Sequence, residues 1–97
     1  MIRVMIERRC QPGKERHLTD LMLELRSAAL RQHGYLSGET LRDVGDPLNF
    51  VVISTWMNLE TWKTWQTARQ RLAIEEMMEP LLAAPRTVRV FREDYEA

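Results

Sequence analysis

Trp62 and Trp65 stand one helical turn apart, so their indoles can face the same space. Together they would make an aromatic wall for a planar organic ligand, each ring bringing a large contact surface and an N–H donor. The plainer use of either ring is core packing. Arg8 continues the face carried by Ile2, Val4 and Ile6, which aims its guanidinium toward whatever covers that face. There it can hold an acidic or phenolate oxygen, or pair with a helix carboxylate. Arg69 follows Trp65 by one turn and has the same two uses. Tyr35, just past His33-Gly34, offers a phenol or packs as an ordinary aromatic.

Other reactive types are poorly placed for chemistry. Cys10 ends an apolar run beside Arg8 and Arg9, with no His or acid positioned to make a nucleophilic pair, which reads as an inert thiol. Glu75, Glu76 and Glu79 form a charge run on a helix, most simply a solvated face. The sequence has no cluster with metal-ligand spacing, no phosphate-cradling loop and no hydrolytic triad.

The elements that must position these residues follow from periodicity and punctuation. Residues 2–10 alternate, with Ile2, Val4 and Ile6 on one side and Arg3, Glu7 and Arg9 on the other, which predicts a strand with one buried face. Gln11-Pro12-Gly13 makes a turn. Leu18, Leu21, Met22, Leu25, Ala28 and Ala29 recur at three- and four-residue spacing, predicting a helix from Lys14 to about Gln32 that Gly34 stops. A weaker strand over Tyr35–Asp43 and a turn at Gly45-Asp46-Pro47 lead to the most apolar strand, Asn49–Trp56. Asn58 can cap a second helix, with Thr61 where a Glu would complete the cap. That helix breaks or restarts near Ala68 and continues to Pro80 or Leu82, and Thr87–Arg92 is the last strand. The order β-α-β-β-α-β predicts a ferredoxin-like α+β plait, a four-stranded antiparallel sheet with both helices on one face, as a single domain over residues 1–97.

Composition closes off several classes. The chain is 44% hydrophobic and 29% charged, ordinary for a folded domain, with 14 basic residues against 14 acidic ones. Zero net charge argues against nucleic acid as the main partner, because phosphate binding needs excess Lys and Arg. Charges inside the opening apolar run speak against a signal peptide or a membrane span. A single cysteine cannot make an internal disulfide, so a reducing cytoplasm is the expected compartment.

The strand at 49–56 is apolar on both sides: Phe50, Val52 and Trp56 on one, Val51 and Ile53 on the other. Two-sided apolarity means burial on both faces. Met5, Phe91 and Tyr95 can join the second buried face, diluted by Arg3, Glu7, Arg89 and Glu93. Such a face predicts a twofold homodimer, since an exposed Val/Ile/Phe strand invites aggregation.

The chain resembles the antibiotic biosynthesis monooxygenase family of dimeric α+β barrels over nearly its full length. The residues that carry the resemblance are Ile2-Arg3-Val4-Met5-Ile6 leading to Gln11-Pro12-Gly13-Lys14-Glu15, then His33-Gly34-Tyr35-Leu36, then Asp46-Pro47 before Ile53-Ser54-Thr55-Trp56, and finally Asn58-Leu59-Glu60-Thr61-Trp62-Lys63-Thr64-Trp65. The resemblance implies a homodimer in which two open sheet faces pack together, each protomer keeping a pocket between its own sheet and helices. In the family that pocket oxidises a polyketide-like aromatic with dioxygen and no cofactor; in a related branch it degrades haem.

The haem branch fits poorly. Trp65 matches that branch's Trp, but its Asn falls at Ile6 or Glu7 and its His near Ile74 or Glu75, with no His anywhere after His33. Haem iron needs an imidazole-type or soft axial ligand, and the helix there offers Glu75 and Glu76. His17 and His33 lie at the two ends of the first helix, away from that position. The resemblance therefore implies a cofactor-independent monooxygenase acting on a small hydrophobic aromatic, polyketide- or quinol-like, held by Trp65, Trp62, Arg8, Arg69 and Tyr35. The alternative is a non-catalytic dimer that binds a small metabolite in the same pocket. No general base is visible among these residues.

Overall fold

A computed structural model describes residues 1–94, so Tyr95 lies outside the described residues. Its elements are β1 (Ile2–Arg9), α1 (Glu15–Ala29), β2 (Tyr35–Arg42), β3 (Asn49–Trp56), α2 (Leu59–Gln66), α3 (Arg69–Met78), a 3₁₀ turn (Glu79–Leu81) and β4 (Thr87–Arg92). The four strands form one sheet in the order β2-β3-β1-β4, with every neighbouring pair antiparallel. This is the ferredoxin-like α+β plait expected from the order of elements. Among the described residues, no helix is long and apolar enough to cross a membrane.

Register explains the layering. Ile2, Val4, Ile6 and Arg8 pair with Trp56, Ser54, Val52 and Phe50, so these eight side chains share one face of the sheet. The helices bury that face: Leu18, Leu21, Met22 and Leu25 of α1, Trp62 and Trp65 of α2, and Ile74 and Met78 of α3 join it in one core. The opposite face carries Met5, Leu41, Val51, Ile53 and Phe91, all half-buried or exposed in the single protomer. All six residues of β4 are exposed, because the helices do not cover that edge.

Local chemistry sets the helix boundaries. Gly34 sits at φ +86°, and a Cβ there would come within 2.5 Å of Thr61, so glycine serves both the left-handed backbone and the close approach to α2. The α2 cap is complete rather than partial. Asn58 accepts from the Thr61 N–H at 2.9 Å, and the short Thr61 hydroxyl reaches the Asn58 N–H at 3.4 Å. The expected break falls at Thr67-Ala68, where Ala68 is extended at φ −63°, ψ 137°. It divides the second helical region into α2 and α3, and α3 starts with a new phase.

Candidate functional site

Between the sheet and the helices lies a recess of about 510 Å³, counting the solvent at its open mouth. Four aromatic side chains from three elements wall it: Tyr35 at the start of β2, Trp56 at the end of β3, and Trp62 and Trp65 on α2. Trp56 is the hub. Its ring meets Tyr35 edge-on at 5.3 Å, meets Trp62 at 5.9 Å, and stacks against Trp65 at 6.4 Å with planes 24° apart. The Trp56 indole N–H is spent on the Ser54 hydroxyl at 3.1 Å. No protein acceptor meets the N–H of Trp62 or Trp65 among the described residues, and both line the recess.

The floor is ionic. Arg8 is 1% exposed, Arg71 2% and Glu75 4%. Arg8 Nη2 donates to Glu75 Oε1 at 2.5 Å, joining β1 to α3 across 67 positions of sequence. Arg71 Nη2 donates to the other carboxylate oxygen at 3.2 Å from one turn back on α3, and its Nη1 donates to the Gln66 carbonyl at 3.1 Å. Arg86, at the approach to β4 and partly open to solvent, reaches that same Glu75 oxygen at 2.6 Å. One carboxylate thus serves three guanidiniums. Burial holds Arg8 below the ordinary arginine range, opposed by the charge and hydrogen bond of Glu75. Arg71 is lowered in the same way, again chiefly by burial. Both still carry a proton at any physiological pH.

Of the residues singled out in the sequence, the fold brings Arg8, Tyr35, Trp62 and Trp65 around this recess. Arg69 does not join them. It is exposed at the first position of α3, because the break at Ala68 cancels the one-turn relation to Trp65 that a continuous helix would give. The inward guanidinium is Arg71. Glu75 is likewise not on a solvated face; only Glu76 and Glu79 of that run are exposed. Counting the helical period afresh from Ala68 would have placed Arg71, Ile74, Glu75 and Met78 on one inward stripe. Arg86 carries no local sequence signal that could have found it.

The remaining candidates stay apart from the recess. His17 and His33 are exposed and line no part of it. Cys10 is buried, contacts the Gln11 carbonyl at 3.3 Å, and burial pushes its thiol above the ordinary range. Among the described residues there is no group of three or more His, Cys, Asp or Glu able to hold a metal.

What this arrangement can do is bind a flat, largely apolar molecule against indole rings while presenting fixed positive charge to any oxygen it carries. Comparison with known proteins bears on the same frame. A family model described as antibiotic biosynthesis monooxygenase matches residues 1–77. No curated protein matches the sequence. Among solved structures, a conserved protein from Methanosarcina mazei is 15% identical, with 96% of this chain and 92% of that one covered at a TM-score of 0.91. The protein Rv0793 from Mycobacterium tuberculosis is 16% identical, with 99% and 97% covered at 0.89. A variant of SnoaB, a cofactor-independent oxygenase from Streptomyces nogalater, is 14% identical, with 95% and 92% covered at 0.83. At these identities the likeness is one of fold.

Proposed function

The chain belongs to the antibiotic biosynthesis monooxygenase family, and from that premise we propose that it is a cofactor-independent monooxygenase for a small hydrophobic aromatic, quinol-like or polyketide-like in chemistry. The observation that carries this reading is the pairing of an indole wall with buried, incompletely neutralised guanidinium charge in one recess. Dioxygen reacts slowly with neutral closed-shell molecules and much faster with an electron-rich anion. A pocket that favours the anion and excludes water therefore supplies most of what this chemistry needs from a protein.

In the proposed reaction Trp65 and Trp62 hold the ring in place, and Arg8 with Arg71 stabilises the substrate after it loses a proton. The anion passes one electron to dioxygen, the radical and superoxide combine to a carbon-bound peroxide, and loss of water leaves a carbonyl. The balance is R₂CH₂ + O₂ → R₂C=O + H₂O, in which the substrate supplies both the electrons and the protons. No imidazole lines the recess, and its one carboxylate, Glu39 of β2, lies exposed to solvent rather than buried beside the rings. Proton loss is then driven by the electrostatic field, and the rate should rise with pH until the bound substrate is ionised.

We also propose that the protein works as a homodimer, the open sheet faces of two copies covering Met5, Leu41, Val51, Ile53 and Phe91. Oxygen uptake with candidate quinols, phenols and anthrones tests the activity. Uptake by the wild type that is lost in the double variant Trp65→Ala, Arg8→Ala is the expected result. Uptake that persists in the double variant removes the site assignment. Binding of such compounds with no oxygen uptake favours the non-catalytic metabolite-binding reading.

A further inference from the structure

The charge balance of the recess identifies part of its ligand. Arg8 and Arg71 are both buried and both line the cavity wall, whereas Glu75 sits behind them and lines none of it. Arg86 touches the same carboxylate from a position 30% open to solvent, where water screens its charge. The other charged residues of the lining, Arg26 and Glu39, are exposed and opposite in sign, so two enclosed positive charges against one negative leave a single positive charge uncompensated. A buried charge in that condition is costly unless something pairs with it.

Hydrogen bonding points the same way. Arg8 has one protein acceptor, through Nη2, and its Nε is buried without one. Arg71 uses both terminal nitrogens, and its Nε is also buried without an acceptor. Native proteins satisfy nearly all their buried polar groups, so unpaired donors on two adjacent guanidiniums mark a place for an acceptor. That acceptor must be compact, since Trp62, Trp65 and both guanidiniums line the recess together. It should also be planar with paired oxygens, the shape that a guanidinium fork matches best. A tetrahedral phosphate dianion brings more negative charge than the enclosed cluster leaves open.

We propose that Arg8 and Arg71 form an anion subsite in the recess, which anchors the carboxylate of a small aromatic or conjugated acid while its ring lies against Trp65 and Trp62. The inference rests on the recess being the ligand site of the function proposed above, and it narrows the substrate class to aromatic acids whose carboxylate is conjugated with the reacting carbon, so that charge formed there on proton loss is drawn toward the same two guanidiniums. The Arg71 guanidinium lies 5.3 Å from the centre of the Trp62 ring. That contact ties the orientation of the subsite to that of the wall.

The test compares benzoate with its neutral isostere benzamide on the wild-type protein, read by quenching of tryptophan fluorescence and by the rise in melting temperature. Benzoate should bind at least about tenfold more tightly, the usual worth of a charge-assisted hydrogen bond in a buried site. Arg8→Gln and Arg71→Gln should each weaken benzoate by about tenfold and leave benzamide affinity alone, with Arg8→Lys recovering part of the loss. If the Gln variants fail to fold, the wild-type comparison still decides. Equal affinity for benzoate and benzamide overturns the proposal, and so does inorganic phosphate binding more tightly than benzoate. Tight benzoate binding without oxygen uptake for any aromatic acid leaves the subsite standing and removes the monooxygenase reading instead.

Discussion

The hydroxyl of Tyr35 occupies the space that a side chain on Gly38 would need, so that a Cβ at Gly38 would clash with the phenol oxygen. The missing side chain lets the ring lie back along β2 and meet Trp56 edge-on, closing one side of the recess. Gly38→Ala is expected to swing Tyr35 away from Trp56 and widen the mouth. A double-mutant cycle with Tyr35→Ala, followed by urea unfolding, should give a coupling of about 1 kcal/mol, within the range for residues in contact. Purely additive effects would mean that the two positions do not share that space.

Glu75 holds the ionic floor together, so removing its charge should hurt far more than removing the charge of its neighbour. Glu75→Gln leaves Arg8 and Arg71 buried without a counter-charge and is expected to cost about 3–5 kcal/mol in unfolding free energy. Glu76→Gln, on the exposed side of the same helix, should stay within about 0.5 kcal/mol of wild type. Matched urea titrations of the two variants check this; equal effects would show that the cluster is not under electrostatic strain.

Register separates two adjacent valines that the sequence alone leaves on uncertain sides. Val51 lies on the open face with Met5, Ile53 and Phe91, while Val52 faces the helices and lines the recess. Val51→Lys is therefore expected to yield monomer or aggregate when molar mass is measured by light scattering. Val52→Lys should leave the association intact and disturb ligand binding instead. A Val51→Lys protein that remains a dimer of unchanged stability places the interface elsewhere.

Trp65 separates packing from binding. Trp65→Phe keeps an aromatic ring in the core and should hold the fold with a loss under about 1.5 kcal/mol, while removing the indole N–H and part of the stacking surface from the ligand. Trp65→Ala should cost about 3–5 kcal/mol through the cavity it leaves. Thermal melts beside ligand titrations distinguish the outcomes. A Trp65→Phe protein that melts several degrees lower yet binds as well as wild type would make Trp65 a core residue only.

The strands and the Trp62–Trp65 side of the wall were legible because periodicity is a local signal; Trp56 as its hub was not, since its partners Tyr35, Trp62 and Trp65 come from other elements. Ile2, Val4 and Ile6 alternate, and the span Asn49–Trp56 is where it was expected. The ionic floor was not legible, for two physical reasons. A charged residue in a charge run is read as hydrated unless its partners are known, and the partners of Glu75 come from β1 and from the approach to β4. Helical phase also carries across a break only if the break is ignored. The extended backbone at Ala68 turned Arg69 outward and Arg71 inward, exchanging two residues of identical chemistry two positions apart.

The strand order β2-β3-β1-β4 has a consequence for how the protein is made. β1 is synthesised before the other strands yet occupies an interior place in the sheet, with β3 as its neighbour on one side and β4 on the other. It can pair on one side only after Asn49–Trp56 has been translated, and on the other only after Thr87–Arg92. At about 5–20 residues per second, the interval between making β1 and completing it is on the order of ten seconds. Throughout that wait a strand rich in Ile, Val and Met carries unpaired backbone. Arg3, Glu7 and Arg9, alternating along it, put charge on the nascent strand and act as gatekeepers against premature pairing with a neighbouring chain.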